Sequence, residues 1–231
     1  MKATANAEDT SAVLKRVGIV LVVIGVVDIA WMFHVISSGK AYASSFNMFA
    51  VIAGILLYRQ SLRAARLVAF FAAFFLAGLL GLFVIVPFIF PPALIGTYLR
   101  ITPIASLIWQ GVLMIVPLFI LWWIYRSLAS SPVQSTILSA GLDDRWRRST
   151  RGFEWGAALV VAAGIFTFTF GHGETARQAL EHARAEKGPG YNYFVSSLST
   201  LWTSRDGTEV KATVLAYTDS SIEKVNLEWR K

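Results

Sequence analysis

The sequence contains no cysteine, and only 15% of its 231 residues are charged. The missing cysteine excludes disulfide bonds, thiolate-bound metals and cysteine nucleophiles. Soluble domains carry about 25% charged residues. A chain with 55% hydrophobic residues and a mean hydropathy of +0.57 therefore belongs to the membrane-protein class.

Acidic residues are scarce in the hydrophobic part of the chain. Residues 1–170 carry 13 lysines and arginines against 6 acidic residues, whereas residues 171–231 carry 8 of each. The net charge of +7 thus comes from the hydrophobic part, where retention of basic residues on the cytoplasmic side of a membrane explains it. Nucleic acid is therefore not an expected partner.

Motifs that define a reaction are also missing. The sequence has no HExxH, no Walker-type glycine loop and no Gly-x-Ser-x-Gly elbow. His172 and Glu174 are close together, but their spacing matches no established zinc pattern. We therefore expect no metal site, no cofactor and no enzymatic activity.

Long runs of uncharged residues dominate the sequence, and the clearest of these runs is Leu67 to Phe90. At about 1.5 Å per residue this run covers the ~30 Å hydrocarbon core of a bilayer. The pattern predicts a disordered tail over residues 1–12 and a transmembrane domain over residues 13–170. Its five predicted spans are about 17–36, 44–58, 67–90, 104–125 and 153–170.

A cleaved signal peptide is the alternative interpretation of the first span. Ala41-Tyr42-Ala43 resembles a cleavage site, but the apolar region is long and contains Asp28, which favours a retained span. Eleven basic residues flank the spans on one predicted side, against Lys40 and Arg100 on the other. This asymmetry predicts a cytoplasmic N-terminus and, after five spans, a periplasmic C-terminal domain in a bacterial inner membrane.

Residues 171–231 are predicted to form a small extracytoplasmic α+β domain. Glu174 to Lys187 has the pattern of a helix with a small apolar face, and period-two alternation follows it. We predict one helix and a three-stranded antiparallel meander, with Tyr191 to Thr203 forming either a strand pair or one long bent strand. The fold class is thus an all-α membrane bundle with a C-terminal α+β domain, whose edge strands offer a docking site for another chain.

Four polar residues in the predicted spans form a candidate intramembrane cluster: Asp28, His34, Asn47 and Gln110. Asp28 lies about 16 Å into the first span, where a carboxylate is costly unless it is paired or protonated. Two interpretations stay open, a hydrogen bond that fixes helix packing and a role in transport. A second candidate site is the basic cluster of the membrane interface, comprising Arg145, Trp146, Arg147, Arg148 and Arg151.

The neutral, edge-bearing C-terminal domain and the missing catalytic motifs favour an accessory, assembly or scaffold subunit. Its expected partners are membrane lipid and a protein bound at the C-terminal domain. Two alternatives are a small-solute, ion or proton transporter that uses the cluster around Asp28, and a membrane protein that confers immunity to a toxin. The sequence leaves the oligomeric state open.

Overall fold

The structure is a computed structural model that describes residues 2–39, 46–141, 150–171, 173–203 and 207–230. The described part of the chain is mostly helical and ends in a three-stranded sheet. Its elements in chain order are α1 (Lys2–Ser37), α2 (Phe46–Tyr58), α3 (Leu62–Ile89), α4 (Pro92–Ile101), α5 (Ile104–Leu128), α6 (Ser131–Ser139), α7 (Thr150–Gly171), α8 (Glu174–Lys187), β1 (Asn192–Thr203), β2 (Gly207–Tyr217) and β3 (Ile222–Arg230).

Four of these helices are long and apolar enough to cross a bilayer: Glu8–Ser37, Leu62–Ile89, Ile104–Leu128 and Arg151–Thr169. They correspond to the first, third, fourth and fifth predicted spans. The second predicted span is the shorter helix α2, whose 13 residues extend about 20 Å. The apolar helices thus indicate a multi-pass membrane protein, with four helices of full spanning length among the described residues.

The chain forms two compact units, one of Met1–Leu79 with Val116–Ala157 and one of Leu80–Ile115 with Ala158–Lys231. In the first unit, α1 and α2 cross at two glycines. A Cβ atom on Gly54 would lie 2.6 Å from the Gly18 carbonyl oxygen and 2.8 Å from the Val22 backbone nitrogen. Only glycine on both helices lets the two backbones approach this closely.

The N-terminal segment differs from the sequence prediction. α1 begins at Lys2, so the predicted disordered tail over residues 1–12 is helical from there on. Thr10 is buried, and its hydroxyl lies 3.0 Å from the hydroxyl of Thr136 on α6. This contact and the burial of Leu14 stabilise the helix in this polar segment. The local amino-acid composition does not indicate either contact.

Helices α3 and α7 pack side by side and run in the same direction. In the first unit, a Cβ atom on Gly152 would lie 2.6 Å from the Phe70 carbonyl oxygen, and one on Gly156 would meet the Phe74 carbonyl. In the second unit, a Cβ atom on Gly81 would lie 2.7 Å from Val160. The difference in residue number between contacting positions stays near 80, which is the pattern of parallel helices.

The C-terminal part of the second unit confirms the predicted helix and antiparallel meander. The strand order is β1-β2-β3, and both pairs are antiparallel. α8 packs on one face of the sheet through a core in which Ala179, Ala183, Val214 and Val225 are buried. Within the predicted stretch Tyr191 to Thr203, Asn192–Thr203 forms one long strand rather than a strand pair, with an irregularity between Val195 and Ser197.

The small domain also contacts α4, a helix that the sequence did not indicate. The hydroxyl of Thr97 on α4 donates a hydrogen bond of 2.7 Å to the Thr218 carbonyl oxygen, and Thr97 is buried. The rings of Phe90 and Phe194 lie 5.2 Å apart. α4 therefore meets the small domain just after β2, and Phe90, which precedes α4, meets β1 on the face opposite α8.

Candidate functional site

Asp28 and His34, the two polar residues predicted on the first span, both lie on α1. Asp28 is half-buried near the middle of the apolar part of the helix. His34 is exposed near the helix end, with its ring 5.6 Å from the ring of Trp31. A tryptophan and a histidine at a helix end are typical of the membrane interface, where amphipathic rings find both apolar and polar surroundings.

The register of α1 and α2 places residue 47 level with Asp28. Gly54 lies opposite Gly18 and Val22, and the two helices run in opposite directions. Both helices rise about 1.5 Å per residue, so seven residues back along α2 correspond to seven residues forward along α1. Residue 47 thus lies at the level of residues 25–29, whereas the side chain of Asn47 lies outside the described part of the structure.

Gln110, the fourth member of the predicted cluster, belongs to the second unit. Its Oε1 atom accepts a hydrogen bond of 2.9 Å from the Tyr98 hydroxyl, and its Nε2 atom lies 3.5 Å from the Ser106 hydroxyl. The amide of Gln110 therefore connects α4 to the first turns of α5. A single cluster of Asp28, His34, Asn47 and Gln110 stays a prediction.

The basic cluster of the membrane interface lies almost entirely outside the described residues, which include neither Arg145, Trp146, Arg147 nor Arg148. Arg151 is described, and it is exposed in the first turn of α7. His172 also lies outside the described residues, and Glu174 is exposed at the start of α8. In the described ranges, no three histidine, aspartate or glutamate side chains are grouped so as to hold a metal ion.

The two edges of the sheet differ in charge. β3 has four charged residues among nine, namely Glu223, Lys224, Glu228 and Arg230. β1 has twelve residues and none of them is charged. Charged side chains, particularly lysine, protect an edge strand from pairing with another chain. β3 is therefore a protected edge, and β1 is an open one.

Three ion pairs satisfy charges of the small domain within the domain itself. The Nζ atom of Lys187 lies 2.7 Å from a carboxylate oxygen of Glu223, and Lys211 lies 3.1 Å from Glu209 and 3.3 Å from Glu228. The hydrogen bond between Lys187 and Glu223 raises the pKa of the lysine and lowers that of the glutamate. These charges join α8 to β3 and β2 to β3, so none of these three pairs reaches the β1 edge.

Comparisons with protein-family models, with curated proteins and with solved structures find no match to this chain. The class of protein is therefore defined by the structure itself. It is a helical protein with apolar helices of membrane-spanning length and a small C-terminal α+β domain that exposes an uncharged sheet edge.

Proposed function

We propose that this chain is a non-enzymatic accessory, assembly or scaffold subunit of a bacterial inner membrane, whose periplasmic C-terminal domain binds a partner protein by strand addition along β1. The observation that carries the proposal is the uncharged β1 edge. An edge strand presents unpaired backbone N–H and C=O groups, and an extended segment of another protein can hydrogen-bond to them.

The second half of β1 is the best docking segment. The irregularity between Val195 and Ser197 interrupts the ladder with β2, and irregularities of this kind twist an edge away from further pairing. From Ser197 to Thr203 the pairing with β2 runs without a further shift, so this stretch keeps the regular spacing that an added strand needs. Seven residues match the common length of strands in folded proteins.

The path of α1 and α2 supports five membrane crossings in spite of the short α2. A Cβ atom on Gly18 would lie 2.8 Å from the Tyr58 backbone nitrogen, so α2 ends level with the start of the apolar part of α1. Lys15 and Arg16 precede that level, and Arg59 follows it. This path is consistent with a chain that crosses along α1 and is back on the basic side by Tyr58, and the proposal adds one crossing for each of α3, α5 and α7.

The topology makes a direct prediction for reporter fusions. We expect alkaline phosphatase fused after Lys231 to be active and a fluorescent protein at the same point to be dark, because five crossings place the two termini on opposite sides of the membrane. The same two reporters fused after Arg59 should give the reverse pattern. A fluorescent fusion after Lys231 would contradict the periplasmic placement of the small domain.

Partner binding is tested by adding one charge to each edge of the sheet. Ser197 and Asn226 are both exposed, and both are register partners of Thr213, one on β1 and the other on β3. We expect Ser197→Lys to lower partner recovery from mild detergent about tenfold, which corresponds to roughly 1.4 kcal/mol. The lysine places an unfavourable charge on the edge that the partner must cover.

Asn226→Lys is the matched control, because it adds the same charge to the same face at the edge that is already charged. It should leave partner recovery unchanged. Cross-linking in native membranes before solubilisation gives the reference for full recovery. Equal loss in the two variants, or no loss in either, would contradict docking along β1.

A further inference from the structure

The first unit contains a cavity of about 700 Å³ where α5 ends and α6 begins. Its apolar lining comes from α3, α5 and α7, and its polar lining from Arg126 in the last turn of α5 and from the connection between α5 and α6. The residues that matter for its chemistry are Leu76, Trp122, Phe153, Arg126 and Ser130. A cavity with an apolar wall and a cationic rim fits an amphiphilic ligand better than a purely polar one.

Arg126 supplies the positive charge of this cavity. Its guanidinium carbon lies 5.3 Å from the centre of the Trp122 ring, which orients the side chain by a cation–π contact. No carboxylate among the described residues forms an ion pair with Arg126. A guanidinium that is oriented but not neutralised is suited to bind a phosphate or carboxylate with two hydrogen bonds.

Ser130 contributes a second polar group to the cavity lining. Its hydroxyl oxygen is buried and has no hydrogen-bond partner in the described part of the chain. Ser130 also precedes the first residue of α6, and its side chain does not cap that helix. A buried hydroxyl without a partner is costly, and because the oxygen is almost inaccessible it has to turn about χ1 toward the cavity to hydrogen-bond to a ligand there.

We propose that this cavity binds the phosphate group of an anionic phospholipid. Arg126 and Ser130 contact the phosphate, and an acyl chain lies against Leu76 and Phe153. The apolar wall favours a lipid over free phosphate, and the guanidinium, which no carboxylate among the described residues neutralises, favours a headgroup with net negative charge. The position at the end of the Ile104–Leu128 helix is where headgroups of a bilayer lie, and juxtamembrane arginines there attract anionic lipids.

Native mass spectrometry of the full chain in mild detergent tests this proposal. The probes are dioleoyl phosphatidylglycerol, dioleoyl phosphatidylcholine and sodium phosphate. The wild type should retain phosphatidylglycerol in preference to phosphatidylcholine, and millimolar phosphate should not displace it. Arg126→Gln should weaken phosphatidylglycerol binding about tenfold, the usual effect of losing one charge-assisted contact. Arg100→Gln, which removes an exposed arginine from α4, should leave binding unchanged.

Ser130→Ala provides a second variant that separates ligand binding from folding. The wild-type hydroxyl has no hydrogen-bond partner among the described residues, so its removal should leave the melting temperature of the delipidated protein unchanged or raise it. Phosphatidylglycerol binding should nevertheless weaken several-fold. Unchanged lipid binding in both Arg126→Gln and Ser130→Ala, equal retention of the two lipids by the wild type, or binding of phosphate without lipid would each overturn the proposal.

Discussion

Replacing Gly54 by alanine is expected to destabilise the protein by about 3 kcal/mol, the upper range for overpacking a well-packed contact. The added methyl group would lie 2.6 Å from the Gly18 carbonyl oxygen and 2.8 Å from the Val22 backbone nitrogen. Both contacts are with backbone atoms of α1, so no side-chain rotation relieves them. The two helices must move apart, and the tight packing of Leu14, Val17 and Leu57 is lost with them.

Gly78→Ala is the matched control, because a Cβ atom on Gly78 meets nothing within 4 Å. Alanine stabilises a helix interior by up to about 1 kcal/mol relative to glycine. The same chemical change should therefore lower the thermal midpoint in detergent at position 54 and raise it slightly at position 78. Equal midpoints for the two variants would show that α1 and α2 do not cross at these glycines.

The small domain is the part of the fold that the sequence predicts best. Its apolar residues alternate with polar ones, so the pattern distinguishes the buried face from the exposed face in α8 and in each strand. The small apolar face predicted for α8 consists largely of Ala176, Ala179 and Ala183, and all three are buried. Polar solvent on one side and a core on the other make such a pattern informative.

The membrane helices give no such signal, because they are apolar on every face. Ala77 and Gly81 are small residues at helical spacing on α3, and both face α7. Ala158 and Ala162 have the same spacing on α7, but both are exposed. Gly152 and Gly156 make the close contacts instead, and no change in polarity along the helix marks which of these small residues faces inward.

Helix α4 could not be predicted from the sequence for a different reason. Pro91, Pro92, Gly96 and Pro103 are residues typical of an irregular connection between two spans. Proline is well tolerated in the first turn of a helix, where its missing N–H has no partner to lose, and Pro92 occupies that position. The contact that holds the helix joins Thr97 to Thr218, which are 121 residues apart. A contact between residues so far apart cannot be predicted from the local sequence.

Replacing Val225 by aspartate is expected to unfold the small domain while leaving the membrane helices intact. Val225 is 2% exposed in the apolar core between α8 and the sheet, where Val214 is its register partner. An unpaired carboxylate in such a site costs several kcal/mol even when it becomes protonated. A small domain has only about 5–15 kcal/mol of stability to lose, so unfolding is the expected result.

Limited proteolysis of the variants in detergent measures this effect, and Asn226→Asp is its neighbour control. Asn226 is exposed on the opposite face of the same strand, so an added charge there meets water. Val225→Asp should be degraded from the C-terminus to a fragment that keeps the helices through α7, whereas Asn226→Asp should resist digestion as the wild type does. Partner recovery should fall in Val225→Asp together with protease resistance, whereas Ser197→Lys should lose partner recovery alone. Loss of protease resistance in Ser197→Lys would mean that the β1 edge maintains the fold of the domain rather than binding a partner.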